Sequence, residues 1–125
     1  MANENYGIYE PGRDITGKAT AAVTGKRFLA ISGNRSTDGN ISVAHATAAG
    51  RVCGVSKYDA AINTLVGVMR GNSRVVSVTA AANIAAFAEV EVGTAGQAIT
   101  KSSGVAVGYA LTAATSGNDA EISLY

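Results

Sequence analysis

With 125 residues, a net charge of +1 and a lone cysteine, the chain suits one domain that no intrachain disulfide can staple. Charged residues make up 15% of it, against roughly 25% in an average soluble domain, and no basic stretch forms a nucleic-acid footprint. No run approaches the ~18 apolar residues of a membrane helix, and the opening MANENYGIYEPGRD has no apolar signal core, so the expectation is a soluble chain, unexported by the usual route and at home in a reducing cytoplasm.

In chain order, residues 1–14 stand apart. Tyr6, Ile8 and Tyr9 precede a Glu10-Pro11-Gly12 turn, an aromatic content unlike that of disordered tails. The segment reads as an extended N-terminal arm that orders on a partner or a neighbouring copy, or as a strand packed on its own domain. From Asp14 the pattern is β. Residues 15–23 are Thr-rich and loosely alternating, and 24–26 turn. Residues 27–32 form a strand with Phe28 and Ala30 on one face and Leu29 and Ile31 on the other, which predicts burial on both sides. A polar loop over 33–40 leads to strands at 41–44 and 51–58. Gly71-Asn72 then reads as a hairpin joining strands 64–70 and 73–79.

Residues 80–90 are open to either a short helix or strand and turn, because Ala favours helix while both flanks are β; strand and turn is the expectation. In 89–92 the valines take one face and Glu89 and Glu91 face water. Residues 105–115 read as one long strand of small residues, and 120–125 close the sheet. GRVCGV at 50–55 and GVAVGYA at 104–110 are alike, but too briefly in a Gly- and Ala-rich chain to predict an internal repeat. About nine or ten short strands at this spacing predict an all-β fold, a compact small β-sandwich or β-barrel-like domain of short antiparallel strands over 15–125.

Apolar residues reach 47%, but many are alanine, and Trp is absent. The large core candidates are Phe28, Leu29, Ile31, Leu65, Met69, Ile84, Phe87, Tyr109, Leu111, Ile122 and Leu124. Small residues bury little area each, at about 25 cal/mol per Å². Further burial against copies of the chain or a partner is therefore expected, and a sparsely charged surface suits it.

No arrangement points to catalysis. Cys53 and His45 could form a nucleophile and base, but Cys53 sits in a run of small apolar residues and reads as a buried structural thiol. His45 is the only histidine and has no carboxylate near it in sequence, so no metal site is assigned. Glu89 and Glu91 could act as an acid and base, but their spacing is that of a wet strand face. Gly93-Thr-Ala-Gly96 lacks the Lys-Ser/Thr ending of a phosphate loop. The chain is expected to be no enzyme and to hold no cofactor.

The order Tyr9-Glu-Pro-Gly12, GKRFLAI at 25–31, RVCGVSKYDA at 51–60, Arg70-Gly71, and the VEVGTAGQ and GVAVGYALTAATSGNDAEISL close resembles the small capsid decoration, or cement, proteins of tailed bacteriophages, especially those of actinobacteria, over about residues 9–125. The resemblance implies a structural virion protein on the outer surface of the head, made in the host bacterial cytoplasm. It implies binding to the major capsid protein lattice, as a homotrimer at three-fold positions, with no nucleic-acid or membrane partner. It also implies that the arm, through Tyr6, Ile8, Tyr9 and Pro11, contributes to the capsid or subunit interface. The alternatives are a phage fibre or tail accessory module, a carbohydrate-binding β module, an enzyme using Cys53 and, last, a major shell subunit.

Overall fold

The computed structural model describes residues 3–5, 8, 9 and 12–125. Strands β1 (Ile15–Ala19), β2 (Phe28–Gly33), β3 (Ile41–His45), β4 (Gly54–Ser56) and β5 (Leu65–Met69) form a closed barrel in the order β1-β3-β2-β4-β5. Strands β6 (Val75–Thr79), β7 (Glu89–Val92), β8 (Ala98–Thr100), β9 (Gly108–Ala110) and β10 (Asp119–Leu124) form a second sheet in the order β6-β10-β9-β7-β8. The fold is all-β, as expected. Among the described residues only a single 3-10 turn, Thr94–Gly96, is helical, and residues 80–90 hold bridges and a turn. One pairing departs from the antiparallel expectation: β1 and β3 run parallel.

The second sheet repeats the first. β1 pairs with β5 and β6 with β10; β2 pairs with β3 and β4, and β7 with β8 and β9; β4 pairs with β5 and β9 with β10, all antiparallel. The parallel β1–β3 pairing has its counterpart in a parallel bridge from Ala80 to Ala98, which brings the edges of the second sheet together. The expectation of no internal repeat is therefore corrected. The short GRVCGV and GVAVGYA likeness marks β4 and β9 and the approaches to them. A Cβ at Gly54 would lie 2.6 Å from the Met69 carbonyl oxygen, and one at Gly108 would strike the matching carbonyl of Ser123. Neither place admits a side chain.

The connections repeat as well. Val23 and Ala60 exchange both backbone hydrogen bonds; Lys26 N–H donates to Ser56 and Asn63 N–H to Ala19. In the second sheet Ile84 and Ala114 exchange the same pair, Phe87 N–H donates to Ala110 and Gly117 N–H to Ala80. Lys26, Asn63, Phe87 and Gly117 thus occupy one place in four copies of a turn, and all four have positive φ, between 59° and 85°. The interiors also match. Ala19, Val23, Leu29, Val43, Val66 and Val68 line the first barrel; Ala80, Ile84, Val90, Ala98, Ala120 and Ile122 stand in the same places in the second.

The two halves share a core. Phe28 and Val55 point out of the first barrel and join the apolar cluster of the second, while Leu29 fills the first interior, so β2 is buried on both faces as its sequence predicts. The Gly71-Asn72 hairpin does not form: β6 pairs with β10 and β5 with β1 and β4, so residues 70–74 join the halves instead. The long strand over 105–115 is reduced to β9, because residues 111–118 are spent on the fourth turn. Ile31, Leu65, Phe87 and Leu111, expected in the core, are exposed.

Candidate interaction surfaces

The arm meets the first barrel. Tyr9 lies between two guanidinium groups, 5.3 Å from Arg70 and 5.8 Å from Arg35 at the ring centroid, and its hydroxyl accepts a 3.1 Å hydrogen bond from Arg35. Further along, Arg74 donates to the Gly12 carbonyl at 3.2 Å. Asp14 bridges Lys57 and Arg74, each at 2.7 Å, and the hydrogen bond from Lys57, with that from Arg74, holds its carboxyl below the usual range. Ile8 is 82% exposed. Tyr6 and Pro11, the other two residues assigned to an interface, lie outside the described residues.

A second surface covers the outer face of β7, β9 and β10, and the sequence reading missed it. Phe87 and Tyr109 meet edge to face with centroids 5.3 Å apart, and Tyr109 and Tyr125 stand 6.1 Å apart. The Tyr125 hydroxyl donates to Glu89 at 2.7 Å, and that bond raises its pKa above the ordinary tyrosine value. Phe87 is 78% exposed and sits at φ 67°, a region that costs a bulky residue about 1 kcal/mol. Two of the other turn copies carry Asn63 and Gly117 there, residues suited to that conformation. Only the alternation of Glu89 with Val90 hinted at an outward face; Phe87, an aromatic flanked by alanines, resembled a core residue.

The paired carboxylates separate. Glu89 is exposed as expected, but Glu91 is 4% exposed, which corrects the reading of both as a wet face. Glu91 accepts backbone N–H bonds from Ser102 and Gly104, and these hold its pKa below the ordinary value. It pins the loop before β9.

A groove of about 470 Å³ runs along the first barrel, lined by Ala30, Ile31, Thr47, Gly50, Arg51, Val52 and Cys53. Burial raises the Cys53 thiol to about 11, leaving it protonated near neutrality. His45 Nε2 accepts the Thr24 N–H at 2.9 Å, and burial, with the Arg27 charge, lowers its pKa. One of its two ring nitrogens is therefore engaged with backbone. Among the described residues no group of His, Cys, Asp and Glu could hold a metal ion.

No protein-family model matches the chain, and no curated protein matches it. Among solved structures, the crystal structure of the head fiber gp8.5 N base in bacteriophage phi29 has a similar fold, with a TM-score of 0.77 over 90% of this chain and 93% of that chain. At 23% sequence identity, the likeness to it is one of fold.

Proposed function

We propose that this chain is a non-enzymatic structural protein of a phage head, which binds the outer surface of the shell, contacts the major capsid protein and works as a homotrimer at three-fold positions. The observation that carries the reading is the likeness in fold to a head fiber base over nearly the whole of both chains. The cement-protein wording of the sequence supports it independently. A small rigid module with few charges suits many repeated, individually modest contacts that gain by multivalency. The test is co-sedimentation with undecorated expanded heads, tails and bacterial polysaccharide. Binding to heads alone is expected; binding to tails or polysaccharide alone overturns the reading.

The likeness to a head fiber base favours a second reading, in which the chain is the base of a fibre rather than a cement. Heads with and without the protein separate the two under heating or osmotic shock. A cement raises their resistance, whereas a fibre base binds and leaves it unchanged.

A further inference from the structure

The duplication shows what one face of this barrel does. On the first barrel, the outward residues Phe28 of β2 and Val55 of β4 pair across the strands and are fully buried against the second barrel. On the second barrel, Glu89 of β7 and Tyr109 of β9 form the matching pair; Glu89 is exposed, and Tyr109 is only half-buried, against the rings of Phe87 and Tyr125. Phe87, Leu111 and Tyr125 surround that pair, each close to half exposed or more. The face that takes a barrel in the first half is thus open in the second, and it is aromatic with a carboxylate at its centre.

The edge of the second half that meets the first also has a counterpart. Val92 of β7 is buried where its carbonyl takes the Ala49 N–H of the first half. Its counterpart is Ile31, since Val92 pairs with Ala98 as Ile31 pairs with Val43. Ile31 is 55% exposed and lines the 470 Å³ groove beside Arg51. One copy therefore carries an open aromatic face with Glu89, and a groove of mixed polar and apolar lining in which the exposed Ile31 stands beside a guanidinium.

We propose that these two surfaces meet between copies: the Phe87–Tyr109 face of one chain is covered by the Ile31 groove of a second, Glu89 meeting Arg51, so that the barrel-on-barrel contact within a chain is repeated between chains. Such a contact joins unlike surfaces, and it closes into a ring when the rotation allows. The inference rests on the self-association included in the proposed function and names its surface.

The test is sedimentation equilibrium of the full chain across the micromolar range, with circular dichroism and thermal melting confirming that each variant is folded. The parent should associate. Glu89→Arg and Arg51→Glu should each weaken association about tenfold or more, because each places like charges together. The double variant Glu89→Arg/Arg51→Glu should recover it, and an equal mixture of the two single variants should associate more tightly than either alone. A monomeric parent overturns both the inference and the trimer, whereas head binding is read separately. An associating parent that neither reversal weakens, or a double variant no better than the singles, overturns this contact and leaves self-association standing.

Discussion

The two barrels share strand order, register and turns, yet one matching face is covered and the other open. Phe28 and Glu89 occupy the same place; the first is fully buried between the halves, and the second lies at the surface bonded to Tyr125. The backbone plan is indifferent to which face is covered, and the side chains at a few outward positions decide it. The largest expected effect tests this directly. Phe28→Ala should cost about 4 kcal/mol in urea unfolding, the loss of a buried aromatic and the cavity it leaves. Glu89→Ala, at the matching position, should change stability by about 0.5 kcal/mol or less at concentrations where the chain is monomeric. Similar costs at the two places would mean that Phe28 does not join the halves.

The strands were legible because alternation and turn residues are local signals. Phe28 and Leu29, adjacent and both apolar, announced a strand buried on two faces. The Gly71-Asn72 hairpin misled for the same reason: its turn chemistry is local, whereas β6 finds its partner in β10 at the far end of the chain. The duplication was hidden because its matched interior is written in interchangeable small and β-branched residues, such as Leu29 for Val90 and Val43 for Ala98. Gly54 and Gly108 are a matched pair held to one residue type by close backbone, but two glycines in a glycine-rich chain carry little information. Of the surfaces, Tyr9 stood out because Tyr6, Ile8 and Tyr9 fall together in an arm of a kind usually poor in aromatics. Phe87 did not, since hydrophobicity alone placed it inside and nothing local marks its left-handed turn.

Ala30 and Glu91 form a second matched pair, and acid should act on the second half alone through Glu91. The two N–H bonds from Ser102 and Gly104 lower the Glu91 pKa in the folded chain. A depressed carboxyl stabilises the fold above its unfolded pKa, about 4.3 for a glutamate, and loses that contribution as pH falls through the folded value. Parent and Glu91→Gln should therefore differ in stability near neutrality and converge in acid. Hydrogen exchange should show faster opening of residues 101–107 in the variant and an unchanged first barrel. A gap of constant size down to about pH 3 would mean that the Glu91 charge contributes nothing to holding the loop.

The smallest expected effect concerns the turn itself. Its four copies place Lys26, Asn63, Phe87 and Gly117 in one backbone conformation, so the fold needs no aromatic ring there. Phe87→Asn should relieve about 1 kcal/mol of backbone strain and forfeit about 0.5 kcal/mol of edge contact with Tyr109, a net stabilisation of about 0.5 kcal/mol in the monomer. The reverse change in the matching turn, Asn63→Phe, should cost about 1 kcal/mol, since no partner ring offsets the strain there. Thermal melts of the dilute proteins read both. A lower melting temperature for Phe87→Asn would mean that the ring stabilises its own barrel. A higher one means that the chain holds Phe87 in solvent at the expense of its own stability, and the reason then lies in a contact outside the monomer.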